Sequence, residues 1–341
     1  MSTALEVPPA PATSRRGSLL RAELHRFRSR RMVRVLLLLA VLGFVGGVAT
    51  ASTQYAKTSP ARVAAAEAER QQILVESEGY RRQCLDQVGG DAAEEQCGPP
   101  LTLDNLGDLS NFLRPAPFRL AEDGRNGVVA VAVLTAALAF LLGATYVGAE
   151  WSTRSMVALL FWEPRRLRVM AAKLTILAVL SAVLAVLAAA AWLLAARALA
   201  ATRGTGDGPP GLFGELVGSA GRGVLLVVLM SLLGFGVANL LRNTAAAFGF
   251  GFVYFAIVEN IVRGVRPRWQ PYLLTENTLA LLQEGGLKIF LNESFVDSTG
   301  AYQTGGREVL VGNLHGALVL TAVTAVVVAA GVVLFARRDL D

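Results

Sequence analysis

The sequence predicts an all-α membrane protein with six transmembrane helices, a cytoplasmic N-terminal interfacial helix and two sizeable extracytoplasmic segments. Three observations predict it. Hydrophobic residues make up 53% of the 341 positions and charged residues only 17%, against roughly a quarter charged in ordinary soluble domains. The apolar residues gather into runs of about 20, the length that crosses a bilayer as a helix. The cations are also lopsided: sixteen of the 32 Lys and Arg fall on one face of the resulting topology, as the positive-inside bias of cytoplasmic segments requires. That bias accounts for the net charge of +6 without a nucleic-acid partner.

Residues 1–16 are rich in Pro, Ser and Ala, and a disordered tail is expected there. In 17–32, Leu20, Leu24 and Phe27 recur at i, i+4 and i+7 among arginines. This pattern predicts a basic interfacial helix lying on an anionic leaflet, with these three residues facing the membrane. His25 belongs to its polar face. The first span is 33–51. Ala49-Thr50-Ala51 has the small residues of a signal-peptide cleavage site, but the long amphipathic basic region before it favours a retained span.

Residues 52–126 form a polar, extracytoplasmic loop with 12 acidic and 8 basic residues. Its part from Arg62 to Gln87 holds no Pro and a single Gly, Gly79, and reads as helix, whereas Asp91 to Pro117 is rich in turn residues. Both cysteines, Cys84 and Cys97, lie in this loop. Outside the cytoplasm such a pair favours a disulfide, the other reading being two free thiols. The second span is 127–149, a connecting stretch covers 150–169, and the third span is 170–200. After a Gly- and Pro-rich link come spans at 223–241 and 245–262, joined by the turn at Arg242–Thr244. A second outer segment, 265–313, contains one expected short helix, Pro271 to Gln283, with Gly285-Gly286 and Gly305-Gly306 as breaks. The sixth span is 314–336, which leaves both termini on the cytoplasmic side.

Glycines allow helices to approach closely in a membrane. Gly43, Gly46 and Gly47 in the first span, and Gly234, Gly236, Gly249 and Gly251 in the fourth and fifth, are read as intramolecular packing positions. Polar groups within the spans are few. Glu259 and Asn260 lie late in the fifth span. An ionisable group at membrane depth is a functional candidate, but Glu259 can also reach the outer headgroups or pair with Arg263 one turn later. No series of carboxylates suits an ion-coupled carrier.

No GxxxxGK[ST] phosphate loop is present, nor H-E-x-x-H, nor G-x-S-x-G, and the only histidines are His25 and His315. No catalytic residue, metal site or resident cofactor is therefore assigned, and the chain is not expected to be an enzyme. The most informative stretch is Gly148 to Lys173. Ser152 or Thr153 can cap a short helix. Met156, Leu159 and Leu160 share one face of it, beside Phe161 and Trp162. Pro164 ends it, and Arg165, Arg166, Arg168 and Lys173 follow. A charged, amphipathic helix of this kind presents itself to either lipid or protein.

This stretch resembles the cytoplasmic loop between the second and third spans of ABC-2 type transporter permeases, the actinobacterial members in particular. The residues that carry the resemblance are Ala149-Glu-Trp, Ala158-Leu-Leu-Phe-Trp-Glu-Pro-Arg-Arg-Leu-Arg-Val and Ala172-Lys-Leu. The basic helix ahead of the first span and the Phe335-Ala-Arg-Arg-Asp ending are similar too, and the order of spans covers nearly the whole chain. One departure is Arg154-Ser155, where family members often carry Gly-Thr. The resemblance implies the membrane-spanning permease subunit of an ATP-driven exporter in the cell membrane. It implies a cytoplasmic ABC ATPase partner, which binds ATP and Mg, and a second permease, like or unlike. Glu150, Arg154, Pro164, Arg165 and Arg166 are then expected at the ATPase-coupling contact. The other function class is a non-transporting sensor or scaffold acting through the outer loop 52–126.

Overall fold

The computed structural model describes residues 16–89, 93–153, 155–204, 206, 208–296 and 302–337. All but the last residue of the expected disordered tail, together with Arg154 and Arg338, lies outside the described residues. The chain divides into two compact units. One comprises Met1–Ala40, Val131–Ala188 and Ser219–Asp341, and the other Val41–Ala130 and Ala189–Gly218.

Six helices are long and apolar enough to cross a membrane. After the short helix α1 (Arg16–Ser29), the first span is α2 (Arg31–Gln54). Helices α3 (Pro60–Val88) and α4 (Ala93–Cys97) follow. The second span opens with a π-helical turn, Leu120–Gly124, and continues as α5 (Arg125–Ser152). Helix α6 (Ser155–Trp162) precedes the long third span α7 (Arg166–Arg203) and the fourth, α8 (Leu212–Leu241). The fifth span consists of α9 (Thr244–Val253), a π-helical turn at Tyr254–Val258, and α10 (Glu259–Val265). A 3-10 turn at Pro267–Tyr272 and helix α11 (Leu274–Leu282) lead into strands β1 (Leu287–Val296) and β2 (Tyr302–Val311). The last span is α12 (Asn313–Arg337).

Two spans outrun their apolar segments. Helix α8 starts eleven residues before the expected 223, because Leu212, Leu216 and Ala220 repeat at i, i+4 and i+8 and are all buried. Helix α7 begins at Arg166, directly after the Pro164-Arg165 break. In the outer segment 265–313 the sequence reading is incomplete. Its short helix is present, but a two-stranded antiparallel hairpin follows it. Leu287, Ile289 and Leu291 alternate with Lys288 and Phe290. The inner row, with Val309 and Val311, packs on Ala280 of α11. Gly286, at φ +99, makes the entry turn, where a Cβ would stand 2.3 Å from the Val311 carbonyl oxygen. The alternation is short, and Gly305-Gly306 interrupts it on the second strand, which hides the hairpin in the sequence.

In the first unit α8 is the central element. A Cβ on Gly143 of α5 would lie 2.0 Å from the Ser231 carbonyl oxygen, and one on Gly234 would lie 2.2 Å from that of Phe140. The two backbones therefore touch, as small residues permit between membrane helices. On another side, Gly236 packs against Val327 and Val328 of α12. The Asn239 amide donates to the Gly331 carbonyl at 2.9 Å. At Gly43, Gly46, Gly47 and Gly249 an added Cβ would meet nothing within 4 Å among the described residues.

In the second unit a disulfide joins Cys84 of α3 to Cys97 of α4. Arg70 and Arg81 of α3 hold the chain that follows through the carbonyls of Leu103, Gly107 and Gly98. Phe118 pairs with Gly204 as an isolated parallel bridge, and Trp192 donates to the Gly124 carbonyl at 3.1 Å. The Tyr55 hydroxyl, just beyond α2, donates to Asp123 at 3.0 Å. Burial, and then this carboxylate, push the Tyr55 phenol up to about 12.

Two outcomes are expected. Gly234→Ala should separate α5 from α8 and cost roughly 1–3 kcal/mol, measured as a lower midpoint of unfolding in detergent. Because the Tyr55 value is raised on folding, its contribution is complete below about pH 10 and is lost as the pH rises towards 12. Tyr55→Phe should abolish that late step in an absorbance titration of tyrosinate.

Candidate functional site

The connection between α5 and α7 carries α6. The hydroxyls of Ser152 and Thr153 donate back to the Ala149 carbonyl, at 3.0 and 2.8 Å, and so finish α5. On α6, Met156 and Leu159 are buried and Leu160 is half-buried. Phe161 is 85% exposed. Pro164 and Arg165 are exposed beyond it. Arg166 is half-buried and donates to the carbonyls of Phe335 and Ala336 at the end of α12, at 3.3 and 3.4 Å. Arg168 lies 3.8 Å from Glu163. The helix is thus short, seated by two apolar residues, and presents Phe161, Pro164 and Arg165 outward.

Both ends of this connection enter a buried ionic cluster. Helical spacing supplies its members. Glu23 and Phe27 are one turn apart on α1 and Arg30 directly follows it, Tyr146 and Glu150 are one turn apart on α5, and Lys173 lies two turns into α7. Lys173 and Glu23 are both 0% exposed. The Lys173 ammonium donates to Glu23 Oε2 at 2.7 Å and to Glu150 Oε1 at 2.9 Å, with Glu150 Oε2 2.8 Å away. Tyr146 donates its hydroxyl proton to the same Glu23 oxygen at 2.6 Å. Arg30 reaches Glu150 Oε1 at 2.6 Å and the Thr145 carbonyl at 3.0 Å. Arg26 pairs with Glu23 Oε1 at 3.0 Å. The Tyr146 ring closes the cluster: Lys173 Nζ stands 4.9 Å from its centroid, and the Phe27 ring meets it edge-on at 5.3 Å.

Two buried carboxylates are therefore balanced by Lys173 and Arg30, with Arg26 at the rim. Removing charges from water costs several kcal/mol each, and only close, hydrogen-bonded pairing offsets it. The arrangement offers no nucleophile or base to a substrate. It fastens α1 to the two spans from which α6 hangs. Among the described residues, no group of three His, Cys, Asp or Glu is placed to hold a metal ion.

The family model of the ABC-2 family transporter proteins matches residues 20–340, nearly the whole chain. The chain belongs to the ABC-2 transporter family. No curated protein matches it. It is accordingly a multi-pass membrane permease, a transport component of the ABC class.

Within this permease the structure sorts the residues singled out in the sequence. Pro164 and Arg165 stay exposed beside α6. Glu150 does not: it is buried, and Lys173 and Arg30 occupy its carboxylate, so it cannot be offered to an outside partner. Arg166 sits beside α6 but is turned to the end of α12. Arg154 lies outside the described residues. In α1, Leu20 is exposed and Leu24 half-buried, but Phe27 is buried on Tyr146 and faces protein. The reason is Glu23: once it enters the cluster, its neighbour one turn on must face the same way. Glu23, Tyr146 and Lys173 were not grouped by sequence reasoning. The available signal was Glu23 itself, the one acidic residue in the basic segment 17–32.

The permease carries a second buried ionic group at the far end of its fifth span. Glu259 is fully buried. Its Oε2 lies 3.1 Å from Arg263, and its Oε1 accepts from the Thr275 amide of α11, also at 3.1 Å. Arg263 also holds Glu276 at 2.8 Å. Glu259 thus pairs one turn on, and it ties the span to α11 instead of reaching the headgroups. Asn260 donates to the Ala256 carbonyl at 2.9 Å and accepts from Arg263.

Lys173→Met strands two buried carboxylates and should lower stability by about 3–5 kcal/mol. Adding Glu23→Gln removes one of the stranded charges. The double variant should therefore unfold at lower cost than the sum of the two single ones, which a double-mutant cycle of chemical unfolding would read.

Proposed function

We propose that this permease is the membrane subunit of an ATP-driven exporter, and that α6 is where a separate cytoplasmic ATPase engages it. The observation that carries this reading is the exposure of Phe161 on a helix seated at the end of two spans and flanked by the exposed Pro164 and Arg165. A rigid aromatic residue beside an arginine is the usual make-up of an energetically dominant protein contact. The chain has no phosphate-binding loop of its own, so the energy of ATP, with its Mg ion, comes from that partner. The concentration of arginines on this face supports a cytoplasmic position for it and for both termini.

The buried cluster suggests how motion is passed on. Glu150 and Lys173 lie at the two roots of the α6 connection and hold Glu23 between them. When the ATPase shifts α6, the inner ends of α5 and α7 shift with it, and α1 follows because separating it would expose unpaired charge. A second permease completes the passage, as in other ABC-2 transporters, with substrate moving between the two.

The test is co-purification with the cognate ATPase, followed by hydrolysis and export assays. Phe161→Ser combined with Arg165→Glu should weaken ATPase binding by about 2 kcal/mol, roughly 30-fold, and abolish export. Membrane insertion and thermal stability should stay unchanged, because both side chains are exposed. Undiminished binding and export would exclude α6 as the contact.

A further inference from the structure

The connection between the fifth and sixth spans carries an apolar surface that the transport reading does not use. Val265 at the end of α10 is followed by Trp269 and Tyr272 in the 3-10 turn, and these two are 65% and 64% exposed. Ile261, Val265, Trp269 and Tyr272 are spaced four, four and three apart, and all are exposed. The exposed stripe of the span therefore continues past its end. The outer row of the hairpin adds Phe290 and Leu310, 65% and 61% exposed, and the first turn of α12 adds Leu314. In the register, Phe290 stands opposite Glu308 and Leu310 opposite Lys288. Lys288 and Glu308 form an ion pair at 2.8 Å, and this partner holds the Lys288 ammonium above its usual range. The row thus carries no net charge between its two apolar residues.

The distribution along the hairpin indicates what covers this surface. Phe290 and Leu310 lie at its base, and Leu310 is three residues from the start of α12. Further out, the same row of positions passes Asn292 and Ser294, opposite Gly306 and Thr304, and ends on Val296 opposite Tyr302. An apolar base that adjoins two membrane spans suits the lipid headgroup region. Trp and Tyr concentrate at that depth because one end of each ring is apolar and the other polar. Arg266, exposed in the same turn, adds a cation at the level of lipid phosphates.

We propose that the outward face of the 3-10 turn and the base of the β1–β2 hairpin, marked by Trp269, Tyr272, Phe290 and Leu310, dock into the phospholipid headgroup layer of the leaflet opposite α6. The partner is the bilayer itself. The hairpin is a membrane-resting element, held from within by Ile289, Leu291 and Val311 on α11.

Spin labelling tests this in the full-length permease reconstituted into phosphatidylcholine–phosphatidylglycerol vesicles. The native cysteines are joined to each other, so introduced cysteines are the ones labelled. Nitroxides at Phe290→Cys and Leu310→Cys should show an oxygen-to-nickel-chelate accessibility ratio shifted towards that of Leu314→Cys. A label at Tyr80→Cys on the exposed face of α3 gives the aqueous reference. If both hairpin labels match the Tyr80→Cys value, the face is in water and the proposal fails. Immobile labels that neither reagent reaches would mean that a protein, such as a second permease, covers the face, and would overturn it equally. Trp269→Phe supplies a readout without labels: in vesicles of lipid brominated near the headgroup, native fluorescence should be quenched more than that of the variant. Equal quenching would count against the proposal.

Discussion

The ammonium of Lys173 is the interaction on which the α6 end of this permease depends. It sits between Glu23 and Glu150, out of contact with water, and each carboxylate would be untenable there without it. Three segments distant in sequence meet at this one atom: the N-terminal helix, the end of the second span and the start of the third. Tyr146 and Arg30 donate to the same two oxygens as Lys173, Glu23 Oε2 and Glu150 Oε1, and Arg26 takes the other oxygen of Glu23. Apolar packing between α1 and the spans could slide. A cluster of charges at 2.6–2.9 Å cannot, because any displacement separates buried ions.

The same constraint gives α6 its character. A helix of eight residues has little stability of its own. It is held by Met156 and Leu159 and by the fixed separation of the helices on either side, which the cluster sets. Its outward residue Phe161 is then left exposed. A similar logic operates at the other end of the fifth span. There Glu259 and Arg263 bind α11 through the Thr275 amide and Glu276. At both places a peripheral helix is fastened to a span by buried charge, where a bilayer gives little hydrophobic drive for helices to associate. The first of these fastenings carries α6, and the second carries the hairpin.

The spans were legible because hydropathy is a local property and each run is long enough to be read alone. The short helix before Pro164 was legible for the same reason, through its apolar spacing and its terminator. The hairpin was not. Its alternation covers few residues, Gly305-Gly306 interrupts it, and its inner row packs on Ala280 of α11, a surface that lies on another element. The burial of Glu150 was not legible either, on equally physical grounds. At the end of a span beside a basic stretch, a carboxylate reads as interfacial. Its burial requires Lys173, twenty-three residues later, and Glu23, from before the first span, to arrive at the same point.

The sequence by itself determined six segments long and apolar enough to cross a membrane and the place of a short helix between the second and third of them. These follow from composition and period within single segments. Only the tertiary structure decided which charges are buried. It turned Phe27 and Glu23 towards protein, closed Glu150 off from outside partners and left Phe161 and Arg165 exposed. The fate of a charge depends on the counter-charge that the folded chain brings within about 3 Å, and no local pattern specifies a partner more than a hundred residues away.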